Sequence, residues 1–583
     1  MGLNCEGLDA AGGMSEMVYW YVSEAEIRCM LGFAVVVMAG VLYELQVNEI
    51  SLVIWVCDGG GIQRRFSTSN PIYFDGDFDV ISSVITEADN VVLNMIPTDT
   101  EIENVVKSMA SWSSPGPDGF QAGFYQTQWQ IVGKDVIEVV KRFFQYGHML
   151  RSLNKTYISL IPKCKSPKMP SEFRPIGLCN VSYKIISKIL ANIIKPFLKK
   201  LVSPYQAAFV PGREIHDNII IAHEMIHFMK HKEGYNGTMA IKLDLSKAFD
   251  RLEWKFLNNV LLKFGFNTDF CNLIMQCVTT TSISVLLMGH HVNNLSQLEH
   301  VNDIFNISEN FSSLSGQMLN FDKSCVYFSH NLSPGYCEFL SRALNMSIVS
   351  DSGKYLGAPL LLGHSKVKSF DPIVQSFEVR LKNFVSITLN QAGRSTLTTL
   401  IDKLNSLPTY QMGCFKIPTT LIDKLDSLQL NFWWGHNTGK GIKFIYWDSI
   451  NKSKEQGGLG FRDLENFNIA LICKLIWKIV TEEEKFKVQI LSAKYFKDCS
   501  ILHLDKLNES CSWIWRGIYR CIGIIKDNSF WSIGCGTKTK IWLDCWVVGL
   551  DHPPIPSTGL VNIVSFIMSL ICLWKILSLG MSI

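Results

Sequence analysis

Residues 240–254 read AIKLDLSKAFDRLEW, and the chemistry they offer is that of a carboxylate held at the end of a strand. An apolar run stops at Asp244, and Asp250 follows before a helix-like stretch begins. A carboxylate backed by an apolar β core is rigid enough to bind Mg2+, which demands near-octahedral oxygen ligation and dehydrates reluctantly. An aspartate in this place is also a common turn former or N-cap, so the stretch by itself leaves both readings open. His223-Glu224-Met225-Ile226-His227 is a literal HExxH, with His231 extending the row. On a helix its histidines share a face and could hold zinc, the glutamate acting as general base. No third ligand stands at a matching offset, and the plainer reading is a surface helix with two solvated histidines. GGGIQRR, at 59–65, lacks the Lys-Ser/Thr of a phosphate-cradling P-loop and reads as a loop.

The elements that must position these groups follow from periodicity and capping. IPTDTEIENVVKSM (96–109) predicts a helix with Thr98 or Thr100 as N-cap and acids in its first turn. SSPGPDGF (113–120) alternates proline with glycine and predicts a fixed loop. From Phe173 to Val202 the chain opens as a loop and continues as a long amphipathic helix, with Ile185, Ile189, Ile193 and Phe197 on one face and the lysines on the other. A loop at 204–218 leads to the helix that carries HExxH. TMAIKLDL then predicts a strand buried on both faces, followed by a helix over about 253–264. SISVLLMG (282–289) and LNFDKSCVYFS (319–329) predict two more strands, separated by a polar helix near 297–311. Beyond about residue 350 the chain turns to tryptophan-rich helical segments such as FWWG (432–435) and ALICKLIWKIV (470–480).

A chain of 583 residues has room for about two to four domains, each with a real core. At 47% hydrophobic and 18% charged residues its composition is globular and excludes a disordered chain. The net charge of +3 says little, but residues 151–200 hold eleven lysines and arginines against the single acid Glu172, a bias that suits a polyanion. Seventeen cysteines without a CxxC pair signal neither a disulfide framework nor a zinc ribbon, and fit a reducing compartment. No secretory signal is recognised. Two apolar stretches, 29–43 and 561–574, fall short of the roughly 20 residues needed to span a bilayer core, so membrane association is not expected.

The order of segments is more specific than any one of them. SPGPDGFQAGFY (114–125), the run from LIPKCKSPKMPSEFRPIGLCN to KIISKILA (160–191), SPYQAAFVPGREIHDNI (203–219), KLDLSKAFDRLEW (242–254), SGQMLNFDKS (315–324), KYLGAPLLLG (354–363), QAGRSTL (391–397), QGGLGFRDLENFNIAL (456–471) and IWLDCWV (541–547) follow one another in register. In these the chain resembles the reverse transcriptase of plant LINE-type (non-LTR) retrotransposons, over about residues 67–548.

The resemblance implies an α+β fold, a right hand of fingers and palm followed by a mainly helical C-terminal region. It divides the chain into an unassigned segment 1–66, a fingers-like region 67–236, a palm 237–350, a helical thumb- or connection-like region 351–548 and an unassigned apolar tail 549–583. The reaction implied is attack of a primer 3′-hydroxyl on a deoxynucleoside triphosphate, directed by an RNA template, with a DNA primer and two Mg2+ ions roughly 3.5–4 Å apart. By position Asp244 matches the first metal-binding aspartate, and the Leu245 carbonyl would lie beside the triphosphate. Phe249 matches the aromatic that excludes ribonucleotides. Arg174 and Lys163 match cations that grip the triphosphate, and Lys323 matches a lysine that protonates the leaving pyrophosphate. Lys184, Lys188, Gln206 and Arg213 are the expected nucleic-acid contacts.

One departure changes the expectation. Between Gly289 and HHVNNLSQLEHVNDIF the family carries a further palm segment, ending in a hairpin that bears Ala-Asp-Asp or a close relative. Here neither appears, and the 583 residues contain no Asp-Asp dipeptide. The palm is therefore expected to be incomplete, the chain a truncated and internally deleted copy. Asp250, Asp303 and Asp322 have no spacing that recommends them as substitutes. With Asp244 as the one expected ligand a second Mg2+ is not held, and each 1.36 kcal/mol of lost transition-state stabilisation is about tenfold in rate. The expected protein is reverse-transcriptase-like, catalytically inactive and still able to bind RNA or DNA. A domesticated non-catalytic nucleic-acid-binding protein is the alternative, and a zinc metalloprotease a remote one.

Overall fold

The computed structural model describes residues 73–74, 78–79, 81–162, 166, 173–234, 237–245, 251–285, 312–349, 353–383, 390–396, 410–435, 444–497, 499–532, 543–547, 550 and 552–554. The helix expected near 297–311, the glycine-rich stretch 59–65 and both apolar stretches, 29–43 and 561–574, lie outside these residues. The protein is α+β and divides into two compact units, Met1–Leu362 and Gly363–Ile583. Among the described residues no helix is long and apolar enough to cross a membrane.

The first unit is built on a helical core. Its helices are α1 (Glu87–Leu93), α2 (Asp99–Lys107), α3 (Ala122–Thr127), α4 (Trp129–Tyr146), α5 (Val181–Ile194), α6 (Ile215–Lys230), α7 (Trp254–Lys263), α8 (Thr268–Thr279) and α9 (Pro334–Ala343). Of the two N-caps the sequence offers, α2 uses Thr98, because Thr98 and Glu101 form a capping box that satisfies two otherwise unpaired backbone N–H groups. α4 stops at Gly147, which takes the left-handed conformation (φ 62°) and returns its N–H to the Phe143 carbonyl. Ile102 and Val106 of α2, Phe143 of α4, Ile185 and Leu190 of α5, Phe256 and Val260 of α7 and Phe270 and Ile274 of α8 close into one buried cluster. Each such side chain contributes about 1.5–3 kcal/mol on burial.

Two sheets flank this core. In the first, the order is β2-β1-β4, with β1 (Lys155–Pro162) antiparallel to β2 (Phe173–Cys179) and parallel to β4 (Ser282–Val285). FRPIGLC is thus a strand, not the loop expected from the sequence. Pro175 is tolerated because β2 is the outer strand of this sheet among the described residues, the place where a missing N–H costs least. β4 lies in sequence within the palm interval, yet it pairs with β1 of the fingers interval.

The second sheet has the order β3-β5-β6, from β3 (Met239–Lys242), β5 (Cys325–Phe328) and β6 (Ser347–Ile348). β3 is half-exposed at every residue, where the sequence predicts burial on both faces. The reason is its edge position: among the described strands only β5 pairs with it. β7 (Lys354–Tyr355) and β8 (Ala358–Pro359) form a separate hairpin, whose turn residues Leu356 and Gly357 both have positive φ (48° and 81°).

The second unit is mainly helical: α10 (Lys366–Asn383), α11 (Thr419–Trp434), α12 (Leu464–Thr481), α13 (Phe486–Tyr495) and α14 (Trp513–Asp527). Buried Asn468 on α12 donates to the carbonyls of Met412 and Phe415 and accepts from the Ile417 N–H, at 2.7, 2.8 and 2.9 Å. Trp515 stacks on Tyr495 and Phe496, with ring centroids 4.3 and 5.7 Å away.

Candidate nucleotide and nucleic-acid site

β3 ends at Lys242, and Asp244 stands two residues past it, half-buried. Its N–H donates to the Ser324 hydroxyl (3.1 Å), and its carbonyl accepts from the Asn320 N–H (2.8 Å). Leu245 and Leu319 form an antiparallel bridge beside them. The segment that docks here is a tight turn organised by Asn320, whose carbonyl accepts from the N–H groups of Lys323 (3.2 Å) and Ser324 (2.9 Å). Asn320 Oδ1 takes the Lys323 N–H as well (3.2 Å). Ser324 is fully buried at the base of the turn, while Lys323 is exposed. Residues 80 positions apart thereby share one locale, Lys323 standing on the turn that clasps Asp244.

The clasp continues upstream. The Glu253 N–H donates to the Ser315 carbonyl (2.9 Å), and a Cβ on Gly316 (φ 75°) would come within 2.5 Å of the Arg251 carbonyl. Glycine is required at 316 on both counts. Phe249 and Lys163 lie outside the described residues. Arg174 is placed by its backbone alone, opposite Ile161 in the β1–β2 ladder.

At Asp244 the described oxygen donors are one carboxylate and the Leu245 backbone, the Asp244 carbonyl being taken by Asn320. Among the described residues no three His, Cys, Asp or Glu side chains group to hold a metal ion; Asp250 and Asp303 lie outside those residues. A pair of Mg2+ ions calls for several hard oxygens. This donor set does not fit that need.

The basic region divides in two. Lys184, expected on a solvated face, is 3% exposed, and its ammonium donates to the Ser114 carbonyl (3.4 Å). Burial lowers its pKa from the ordinary lysine range, with Cys179 and Asp118 acting the other way. The expectation fails because α5 is buried nearly all round, from Val181 through Leu190, and has no wet side there. What Lys184 touches is the SPGPDG loop. Asn180, just before α5, receives the Asp118 N–H on Oδ1 (3.1 Å) and donates to the carbonyls of Ser152 and Leu153. Gly116 presses on the Asn180 backbone so closely that no Cβ fits. Lys188 is half-buried, its Nζ 3.5 Å from the Ser108 carbonyl, and burial, helped by Lys195, lowers its pKa too. By contrast Lys195, Lys199 and Lys200, in the 3-10 turn and short helix that follow α5, are exposed, Lys200 lying 3.6 Å from Asp89.

The loop 203–214 follows that short helix. Gln206 accepts the Ala208 N–H on Oε1 (3.4 Å), and the Arg213 guanidinium is half-buried, with burial lowering its pKa. Its Nη1 donates to the carbonyls of Ser203 and Gln206, and its Nη2 to that of Val202. Sequence reasoning singles out Arg213 as a contact but misses this inward use. Glycine and proline beside it, in VPGR, are the signs of a turn that needs a donor.

HExxH resolves differently from either sequence reading. His223 and Glu224 are both buried, so this is no solvated surface pair. His223 Nε2 hydrogen-bonds the Pro359 carbonyl (2.9 Å), joining α6 to the β7–β8 hairpin, and burial pushes its pKa down to about 4. His227 lies instead against His231, the ring centroids 4.4 Å apart and the planes tilted by 33°.

Residues 161–297 match the family described as Reverse transcriptase (RNA-dependent DNA polymerase). The chain is 31% identical over 170 residues to the transposon TX1 149 kDa protein of Xenopus laevis, covering 29% of this chain and 13% of that one. It is 35% identical over 153 residues to an uncharacterized mitochondrial protein of Arabidopsis thaliana, covering 26% of this chain and 97% of the relative. To the Pol polyprotein of the type-2 retrotransposable element R2DM of Drosophila melanogaster it is 26% identical over 165 residues, or 28% of this chain and 15% of that protein. The chain thus spans a small part of the long transposon proteins and nearly all of the mitochondrial one. Taken with the fold and with the matched segment that runs from β2 through α5, α6 and β3 to β4, these likenesses place the chain among the reverse-transcriptase-like proteins of retrotransposon origin.

Proposed function

We propose that this protein is a plant LINE-type reverse-transcriptase relative that holds RNA without extending a primer on it. The observation that carries the reading is the unequal state of its two working parts. The basic side is built, with exposed Lys195, Lys199 and Lys200 leading into an ordered loop. On the carboxylate side the described residues offer Asp244 at a strand end and no metal-holding group of three acids, histidines or cysteines, in a sequence of 583 residues without an Asp-Asp dipeptide. The right-hand arrangement of fingers and palm, the parts of Arg174, Lys163, Leu245, Phe249 and Lys323 in gripping a triphosphate, and any use of Mg2+ belong to the same proposal and rest on the resemblance. A DNA primer and an RNA template are the partners it implies.

Filter binding of labelled single-stranded RNA at several salt concentrations tests the reading. Binding is expected, with log K falling linearly in log salt by about 0.7 for each phosphate neutralised. Asp244→Asn is expected to leave that affinity within about twofold, since a surviving grip on the backbone is made by cations. Absence of salt-dependent binding contradicts the proposal.

A further inference from the structure

We propose that Arg213 is a positioning residue of the RNA-holding surface, which shapes the loop 202–210 from inside and is not itself a phosphate ligand. The inference rests on the RNA-holding reading above and assigns one residue its part in it.

A guanidinium offers five N–H donors and no acceptor. In Arg213 three are spent on a single stretch of backbone: Nη1 donates to Ser203 and to Gln206 (2.7 Å), Nη2 to Val202 (3.2 Å). The Arg213 backbone N–H closes the same loop on the Val210 carbonyl (3.2 Å). A planar fork can meet three carbonyls at once, which the single nitrogen of a lysine cannot do with the same geometry.

The loop needs such a strut. Phe209 sits at φ 59°, a left-handed conformation that costs a non-glycine residue about 1–3 kcal/mol and persists only where its surroundings enforce it. Its ring packs partly buried against the helical core. A second pin comes from α6, where Asn218 Nδ2 donates to the Tyr205 carbonyl (3.1 Å). Outward-facing charge lies next door and belongs to other residues. A Cβ placed on Gly212, the neighbour of Arg213, would come within 3.9 Å of Lys199 Nζ. Lys199 and Lys200 are exposed, whereas the Arg213 charge is turned toward carbonyl oxygens. Arg213 sets the loop, and the loop runs beside exposed Lys199 at Gly212, so its course decides what stands next to that cation.

The test uses the full chain, single-stranded RNA and two variants, Arg213→Gln and Arg213→Lys, the second keeping the charge in case the first does not fold. Both are expected to weaken binding about tenfold by loss of preorganisation, with the slope of log K on log salt unchanged. Lys199→Gln is expected to lower that slope by about 0.7. Amide hydrogen exchange in 203–210 should quicken in both Arg213 variants. A slope reduced by about 0.7 in Arg213→Gln and restored in Arg213→Lys makes Arg213 a phosphate ligand and overturns the proposal. Faster exchange with unchanged affinity makes its role structural only and overturns it as well. Failure of the unsubstituted chain to bind RNA is a different failure: it removes the RNA-holding reading, and this assignment with it.

Discussion

The helical core of the first unit and the β3-β5-β6 sheet in the same unit are closed to different degrees among the described residues. Five helices bury Ile102, Phe143, Ile185, Phe256, Phe270 and their neighbours in one continuous cluster. The sheet that carries Asp244 buries Val326, Phe328, Cys337, Leu344 and Met346, and leaves β3 half-exposed along its length. Each helix satisfies its interior backbone hydrogen bonds within itself, so a helical core does not rely on a neighbouring segment for them. A sheet depends on each neighbour for its hydrogen bonds and for its cover, and an edge strand lacks one. The contrast separates a part of the fold closed into one buried cluster from a part whose first strand, among the described residues, is paired on one side alone.

The largest effect that would break this comparison is a core truncation. Phe256→Ala, at a fully buried position of α7, should cost about 3–5 kcal/mol of unfolding free energy in urea. Ile241→Ala on β3 should cost only about 1 kcal/mol, being half-exposed. Equal losses would erase the difference between the two regions.

A smaller effect sharpens the comparison through pH. His223 has an ordinary value of 6.5 that burial lowers to about 4, so between these values the unfolded chain binds a proton that the folded chain does not. Stability must then rise with pH across that window, by on the order of 3 kcal/mol, and be fully present above 6.5. In His223→Gln this part of the slope should vanish. Urea titrations from pH 7 to about 4.5, taken as the difference between the two proteins, give the measure. An identical slope in both means that His223 titrates as a solvated histidine and that its bond to Pro359 does not hold in solution.

Local chemistry made some of this legible in advance. The pattern at 96–109 predicts α2 with its N-cap at Thr98 or Thr100, of which the structure takes Thr98, and the apolar run before Asp244 predicts β3. Other features turn on partners that no periodicity reveals. Pro175 reads as a loop until β1 is known to lie on one side of its strand and nothing described on the other. Lys184 reads as a surface cation until the SPGPDG loop supplies the Ser114 carbonyl. β4 gives no hint that it pairs with β1, far back in the chain. The clasp of 319–324 on Asp244 was legible only through the resemblance, which named Asp244 and Lys323 together without giving the turn that brings them close.

Primer extension on an RNA template, with Mg2+ or Mn2+ and all four deoxynucleoside triphosphates, tests the central claim most directly when run on the preparation whose RNA binding has been measured. The expected result is bound RNA and no extended product above background. Extension that disappears in Asp244→Ala would contradict it, and would show that Asp244 still works with ligands beyond those described around it.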